Sequence, residues 1–286
     1  GWRVVRRLPQ PVTRTIFRWG ADFASGHGRG MENLRRNLTR VVGAENVTRE
    51  LVRDSMRSYM RYWLEAFRLP AIHADPQLHE LLMTGLEGLE HFDVSAQSGR
   101  GVILALPHSG NWDMAGVFLV GHYGRFTTVA ERLKPEVLFD AFVDYREKLG
   151  FEVLPLTGGA ATPFARLKEV LLEGGVVCLL AERDITRSGV TVNFMGEEAA
   201  MAAGPAQLAI ETGAALHVVH SWFKADGWGL SVSPEVEVTN VQETTQRMAD
   251  GFAANIRLHP EDWHMLQPQW NADVERRRKA RRRRSN

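Results

Sequence analysis

A histidine and a carboxylate stand five residues apart in the segment Pro107-His108-Ser109-Gly110-Asn111-Trp112-Asp113, directly after an apolar run. A loop that follows a buried strand is where an open α/β sheet presents its ligand-binding residues. If His108 lies in the turn and Asp113 in the first turn of a following helix, the carboxylate can reach back to the ring. It would then hold the Nδ1 proton and leave Nε2 as a base able to activate a hydroxyl. His108 is therefore our candidate catalytic base.

Two further features favour a functional site over a structural histidine near a helix N-terminus, which is the alternative interpretation of this spacing. Ser109, Gly110 and Asn111 would make a poor core but suit the rim of an active site. A second polar run, Ala181-Glu182-Arg183-Asp184, ends another apolar strand pattern. The sequence therefore predicts polar groups at the ends of two strands.

The elements that must position these residues change in character along the chain. Residues 31–69 repeat apolar side chains every three or four positions, as helices do, and Pro70 and Pro76 interrupt the pattern. After about residue 85, short apolar runs alternate with helical segments. Strands are predicted at 102–106, 126–130, 151–154, 176–181, 215–223 and 229–238, and helices at 135–149, 163–172 and 205–212. This alternation predicts an α/β fold with a central, mostly parallel sheet flanked by helices and with extra N-terminal helices.

Composition sets the broad class of the protein. A chain of 286 residues with 44% hydrophobic side chains can bury a sizeable core. We expect a single domain over 1–274, with a helical part at 1–85 and an α/β core at 86–274, followed by a basic tail at 275–286. No run approaches the ~18 apolar residues that a spanning helix needs, and no signal-peptide pattern is seen, so we expect a cytosolic protein. The single cysteine, Cys178, excludes an internal disulfide and a cysteine-based zinc site.

Two basic segments dominate the charge pattern. Eight of the last eleven residues are Arg or Lys, and removing them changes the formal net charge from +1 to −7. Such a run is commonly a solvated tail, but an anionic lipid surface or a nucleic acid would attract it. The second segment, from Trp2 to Trp19, interleaves arginines with apolar side chains and contains Pro9 and Pro11. It is consistent with a helix packed on the core, or with an interfacial helix whose Trp and Phe side chains enter the acyl boundary.

The motif from His108 to Asp113 resembles the H-x4-D/E motif of glycerolipid-type acyltransferases. The wider pattern resembles the bacterial lipid A biosynthesis acyltransferase family over about residues 100–270. The motifs that carry the resemblance are Ala130-Glu131-Arg132, Arg146, Ala181-Glu182-Arg183-Asp184, Val192-Asn193-Phe194-Met195-Gly196, Gly204-Pro205, Glu211-Thr212-Gly213-Ala214 and His259-Pro260-Glu261-Asp262-Trp263. Asp113 in place of Glu, together with Glu182, is most similar to the actinobacterial members that acylate phosphatidylinositol mannosides.

The resemblance implies transfer of a palmitoyl group from palmitoyl-CoA to the 6-hydroxyl of a mannose of phosphatidylinositol mannosides. It implies a peripheral enzyme at the cytoplasmic face of the plasma membrane. Its partners would be the two substrates and an anionic membrane surface, with no nucleic acid. It implies no cofactor, since acyl-CoA is a substrate, and no metal ion.

The resemblance also implies roles for individual residues. His108 would be the base, and Glu182 would orient it or hold the acceptor sugar. Asp113 is the alternative orienting carboxylate, and the sequence leaves that choice open. The candidates for binding acyl-CoA or the acceptor are Glu131, Arg146, Arg183, Arg187, Ser188 and Glu211, with ordinary surface ion pairs or a solvated helix carboxylate as the alternatives for Glu131, Arg146 and Glu211.

The acyl chain needs an apolar groove, and a set of apolar side chains around the motif could form it or could equally belong to the core. They are Met114, Val117, Phe118, Leu133, Leu138 and Phe142. The chain has no G-x-S-x-G motif, and Cys178 lies in an apolar strand pattern where a thiolate is disfavoured. We therefore expect direct transfer without an acyl-enzyme.

Three other functions remain open from the sequence. The acceptor could be a lipid A precursor or another glycolipid, because acceptor choice depends on pocket shape. A nucleic-acid-binding protein could use the Arg-rich tail, although no nucleic-acid-binding motif is found. A metal hydrolase could use His108, Asp113, His217 and His220, but two histidines three apart in a strand face opposite sides.

Overall fold

The structure is a computed structural model that describes residues 8–73, 75, 77–131, 136–156, 162–184 and 188–285. Its helices are α1 (Gln10–Ala24), α2 (Glu32–Val42), α3 (Arg49–His73), α4 (Leu78–Met83), α5 (Leu89–Gln97), α6 (Trp112–His122), α7 (Glu136–Lys148), α8 (Pro163–Leu172), α9 (Gly204–Thr212), α10 (Val241–Leu258) and α11 (Asn271–Ser285). Its strands are β1 (Leu86–Glu87), β2 (Val102–Leu106), β3 (Phe126–Ala130), β4 (Phe151–Pro155), β5 (Val176–Leu180), β6 (Val190–Phe194), β7 (Glu197–Met201), β8 (Ala215–Lys224) and β9 (Gly227–Val232).

Seven of these strands form one sheet in the order β1-β9-β8-β2-β5-β3-β4. All neighbouring pairs are parallel except β8 and β9, which form an antiparallel hairpin. Strands β6 and β7 form a separate antiparallel pair. The sheet is flanked by helices, and the predicted α/β fold with added N-terminal helices is confirmed.

Strand β2 lies at the centre of the sheet and is buried along its whole length. Its side chains alternate between two hydrophobic cores because successive residues of a strand point to opposite faces. Ile103 and Ala105 face a core that α8, α9 and α10 cover, whereas Leu104 and Leu106 face a core that includes α5 and α6. The second core surrounds the site described below.

The N-terminal helices pack on one another through a third core. It contains Ala21 of α1, Leu34 and Leu38 of α2, and Val52 and Met56 of α3. An ion pair of 2.6 Å between Asp22 and Arg57 also joins α1 to α3. From this layer, Glu65 of α3 accepts a hydrogen bond of 2.6 Å from Asn111 in the turn after β2.

Two sequence predictions need correction at this level. The helical region 31–69 is two helices, since Gly43 adopts a φ of +86° after α2, and α3 continues past Pro70 into its last turn. The strand predicted at 229–238 ends at Val232, because Pro234 has no N–H for a ladder hydrogen bond.

The described part of the predicted basic tail is helical. Residues 275–285 belong to α11, which begins beside the buried Trp270. Asp273 in the first turn is buried and pairs with Arg40 and Arg276, which fixes the start of the helix. Arg and Lys are good helix formers, so the helix continues through the charged run. None of the helices in the described part of the chain combines the length and apolar composition that crossing a bilayer requires.

Candidate active site

The turn after β2 places His108 at the carboxyl edge of the sheet. Asn111 caps α6 by accepting hydrogen bonds from the N–H groups of Asp113 and Met114. Gly110 adopts a φ of +56°, and a Cβ there would lie 2.5 Å from Ser221, so only glycine fits. The turn is thereby held between the helix and β8.

His108 pairs with Glu182 across two neighbouring strands. Leu106 of β2 is in register with Leu180 of β5, so the residues two positions beyond each strand end lie side by side. The ring Nδ1 of His108 lies 2.8 and 2.9 Å from the two carboxylate oxygens of Glu182. The backbone N–H of His108 donates to the same carboxylate over 2.7 Å. Glu182 is fully buried, whereas the His108 side chain keeps 35% of its surface exposed.

Each member of this pair favours the charged form of the other. Burial opposes charge on both groups, but the Glu182 carboxylate outweighs it and raises the pKa of His108 above its ordinary value. The His108 ring likewise lowers the pKa of Glu182. Because Glu182 accepts a hydrogen bond from Nδ1–H, Nε2 is the nitrogen left to accept a proton from a hydroxyl.

Asp113 points to a different partner. Its carboxylate accepts hydrogen bonds of 2.8 and 3.0 Å from the guanidinium of Arg146, and a third of 3.3 Å from the hydroxyl of Tyr62. Asp113 more than offsets the effect of burial, so the pKa of Arg146 is raised. Of the two carboxylates that the sequence left open, the structure places Glu182 at the His108 ring and Asp113 on Arg146.

A cavity of about 320 Å³ opens beside His108, between the sheet and α6. Side chains of β2, β3, β5, β8 and β9 line it, together with side chains of α3, α5 and α6. Its apolar wall includes Leu104, Leu106, Leu180, Phe118, Leu119, Phe126 and Phe151. The charged or polar side chains of His108, Asp113, Glu131, Arg146 and His264 line the same cavity. A long apolar group could therefore lie beside a histidine base.

The sequence profile of the bacterial lipid A biosynthesis acyltransferase family matches residues 1–272. The chain belongs to this family. It is therefore an acyltransferase, and the resemblance that the motifs carry is confirmed. The chain is 56% identical to a protein of Mycolicibacterium smegmatis named phosphatidylinositol mannoside acyltransferase, over 98% of this chain and 92% of that protein. A protein of the same name from Mycobacterium tuberculosis H37Rv is 54% identical, over 98% of this chain and 89% of that protein.

The residues predicted to bind substrate differ in exposure and in their distance from the cavity. Glu131 is exposed and lines the cavity with Arg146, but Arg146 forms its ion pair with Asp113 rather than with Glu131. Arg183 is half-buried, and its positive charge acts to lower the pKa of His108. Ser188 is exposed, and Arg187 lies outside the described residues.

Glu211 lies away from the cavity of the acyltransferase. Its carboxylate sits on the exposed side of α9, where it contacts Lys168 over 2.7 Å and Gln207 over 3.1 Å. The alternative interpretation, a solvated helix carboxylate, describes it correctly. A position two residues before a helix-ending glycine does not reveal which side of the helix faces the site.

The residues predicted to form either the acyl groove or the core divide between the two. Phe118 lines the cavity, whereas Met114 and Val117 are buried in the core beside it. Phe142 packs against Trp63 and Phe67. Leu133 and the side chain of Leu138 lie outside the described residues. The strands supply much of the wall instead, because their buried faces look onto α6.

Cys178 lies within β5, as predicted, but its side chain lines the cavity. Burial raises the pKa of the thiol well above its ordinary value, so the thiolate is strongly disfavoured. The thiol is thus near the site but poorly suited to act as a nucleophile.

The four residues of the metal-hydrolase alternative do not converge. His108 and Asp113 have the partners described above, and the ring of His217 contacts Ser95 and Ser233. His220 stacks on Trp222 and His259. Among the described residues, the side chains of His259, Glu261 and Asp262 do approach one another within 4.8 Å. Both carboxylate oxygens of Asp262 are already engaged, by Ser58 and by the N–H of Phe223.

Sequence reasoning missed two aromatic groups of this site. Tyr62 of α3 binds Asp113 and stacks on Trp112 with 3.9 Å between ring centroids. His264 lines the cavity and donates its backbone N–H to the carbonyl of His108 over 2.7 Å. The predicted motif His259-Pro260-Glu261-Asp262-Trp263 ended one residue too early to include His264.

Proposed function

We propose that the acyltransferase moves a palmitoyl group from palmitoyl-CoA to the 6-hydroxyl of a mannose of phosphatidylinositol mannosides, with His108 as general base. The observation that carries this proposal is the pairing of His108 Nδ1 with the buried Glu182 at the rim of an apolar cavity. The names of the mycobacterial relatives support the choice of acceptor.

The reaction needs one proton to move twice. Nε2 of His108 removes the proton of the mannose hydroxyl as its oxygen attacks the thioester carbonyl, and a C–O bond forms. Glu182 stabilises the resulting imidazolium through its charge-assisted hydrogen bond. When the C–S bond breaks, the imidazolium returns the proton to the departing coenzyme A thiolate. The acyl group passes directly between substrates, and the enzyme ends in its starting state.

The cavity supports the choice of a long acyl donor. Each methylene buried against Leu104, Leu106 and their neighbours stabilises the complex by ~0.8 kcal/mol, so chain length can be recognised through burial alone. Arg183, together with Arg187 and Ser188, is our candidate for holding the phosphates of coenzyme A. Asp113 and Tyr62 fix Arg146 in the cavity wall, where it can donate to the acceptor.

We propose further that the enzyme binds the cytoplasmic face of the plasma membrane peripherally. Val12, Ile16, Trp19 and Phe23 follow one another at spacings of four, three and four residues on α1, and all are exposed, with Trp19 at 71% and Phe23 at 87%. This spacing places them in one stripe, as in helices that lie in a membrane interface. Among the predicted anchors, Phe17 is half-buried and Trp2 lies outside the described residues. The arginines of α11 add attraction to anionic lipids.

The test is a product analysis by mass spectrometry. The purified enzyme is given palmitoyl-CoA with either a phosphatidylinositol mannoside or a lipid A precursor. We expect a mannose 6-palmitate from the first acceptor and little product from the second. Efficient acylation of the lipid A precursor alone would favour the second acceptor over the proposed one.

A nucleic-acid function for the Arg-rich segment is not favoured, because the chain belongs to an acyltransferase family and its base faces an apolar cavity. The test of membrane binding is sedimentation with liposomes containing anionic lipid. Full-length enzyme that stays in solution at low salt would contradict the membrane proposal.

A further inference from the structure

A buried chain of hydrogen bonds leads from Asp262 through Ser58 to His264. The hydroxyl of Ser58 lies 2.5 Å from Oδ1 of Asp262 and 2.9 Å from Nε2 of His264. The N–H of Phe223 donates to the other oxygen of Asp262 over 2.8 Å. All three side chains are buried. This series of hydrogen bonds ends at the His264 ring, which lines the cavity beside His108.

The proton positions in this chain follow from counting donors. Burial raises the pKa of Asp262 to about 6, so at neutral pH it is mainly a carboxylate and can only accept. The hydroxyl of Ser58 therefore donates its one hydrogen bond to Asp262, which leaves Oγ as an acceptor toward His264. Burial lowers the pKa of His264 to about 3, so its neutral ring carries its one proton on Nε2. Nδ1 is then a lone-pair acceptor.

That acceptor has no hydrogen-bond partner among the residues the structure describes, although Nδ1 is buried. An unsatisfied buried polar atom costs about 1–3 kcal/mol, so such atoms usually serve a ligand or a mechanism. His264 is 8% exposed and its ring lies near Tyr59, Tyr62 and Trp112 in the cavity wall. The fold thus holds an acceptor at a fixed orientation beside the reacting centre.

We propose that Nδ1 of His264 accepts a hydrogen bond from a hydroxyl of the acceptor sugar. The hydroxyl that reacts must reach His108, and the backbone N–H of His264 is bonded to the carbonyl of His108. A neighbouring hydroxyl on the same sugar ring would therefore meet the second histidine. This inference rests on the proposed function, and it makes His264 a residue that positions the acceptor while His108 acts as the base.

Two replacements of His264 separate this role from a structural one. His264→Asn keeps an amide group near the position of Nδ1 and loses the bond to Ser58. His264→Gln keeps an amide near the position of Nε2, where it can bond Ser58, and loses the acceptor at the position of Nδ1. A structural role predicts that Gln is the better replacement, whereas binding of the acceptor predicts that Asn is.

The measurement is steady-state kinetics with palmitoyl-CoA and a phosphatidylinositol mannoside, with thermal melting to establish that the variants fold. We expect His264→Gln to raise the KM for the mannolipid roughly tenfold and to leave the KM for palmitoyl-CoA nearly unchanged, with Asn closer to wild type. Ser58→Ala, which frees the ring, should give a smaller effect of the same kind.

Equal or reversed effects of Asn and Gln would overturn the inference. A change confined to the KM for palmitoyl-CoA would also overturn it, since an amide of the donor would then be the partner. If the wild type transfers palmitate to the mannolipid and both variants behave like it, this inference alone fails. Absence of transfer by the wild type would overturn the proposed function as well.

Discussion

Replacement of Glu182 by Gln isolates the charge of the buried carboxylate. Glu182 is fully buried and accepts hydrogen bonds from Nδ1–H and the backbone N–H of His108 over 2.7–2.9 Å. Gln has nearly the same shape and keeps one oxygen as an acceptor, so the turn after β2 should hold. What disappears is the negative charge that stabilises the imidazolium formed when His108 removes the proton.

The expected size follows from the kind of bond that is weakened. A hydrogen bond to a charged group contributes ~1.5–3 kcal/mol, which corresponds to roughly a 10- to 150-fold loss in the rate of transfer. The same charge raises the pKa of His108, so its removal lowers that pKa. A base is active when deprotonated. The wild-type rate should therefore fall as the pH drops through a midpoint above the ordinary histidine value, and the variant should have a lower midpoint.

The assay is the pH dependence of kcat/KM, measured by release of coenzyme A in the presence of the mannolipid. Two carboxylate variants provide controls. Glu211→Gln alters a carboxylate outside the cavity and should leave rate and midpoint unchanged. Asp113→Asn weakens the contact with Arg146 and should lower the rate without moving the midpoint by as much. A Glu182→Gln variant that folds and keeps both the wild-type rate and the wild-type midpoint would refute the claim that the charge of Glu182 makes His108 an effective base.

Three further predictions follow from the cavity and the surface. A Cβ at Gly116 would lie 2.6 Å from Phe151 in the cavity wall. Gly116→Ala should therefore shift the preference of the enzyme from palmitoyl-CoA to shorter donors, by roughly fourfold for each methylene excluded. An unchanged ratio of kcat/KM across donor lengths would contradict this. Cys178→Ser should retain most of the activity, and intact-protein mass spectrometry should show no acylated enzyme; a trapped acyl group on Cys178 would contradict direct transfer. Replacing the exposed Trp19 and Phe23 by Ser should weaken the part of liposome binding that persists at high salt. Deleting residues 275–286 should remove mainly the salt-sensitive part of the binding. Liposome binding that neither change affects would exclude both segments as anchors.

The strands and the position of His108 after β2 could be predicted because they depend on local pattern. The run from Val102 to Leu106 is apolar throughout, as a central parallel strand requires, and a polar turn follows it. The partner of His108 could not be settled in this way. Glu182 is 74 residues away, and only the pairing of β2 with β5 brings it to the ring.

Sequence neighbours were a poor guide to spatial partners. Asp113 is close to His108 along the chain, but capping of α6 by Asn111 turns its carboxylate toward Arg146, 33 residues away. His264 was missed because its importance depends on two buried groups, Ser58 and Asp262, that are 204 residues apart. The wall of the cavity was missed for a related reason, since apolar residues of β2, β3 and β5 also form the core.

Replacement of His108 by Ala tests whether His108 removes the proton of the acceptor hydroxyl. The measurement is the single-turnover rate of mannolipid palmitoylation, with thermal melting to establish that the variant is folded. Because general-base assistance typically contributes ~10²–10⁴-fold, we expect a loss of that size with binding of palmitoyl-CoA retained. A folded His108→Ala enzyme that palmitoylates the mannolipid at the wild-type rate would contradict it.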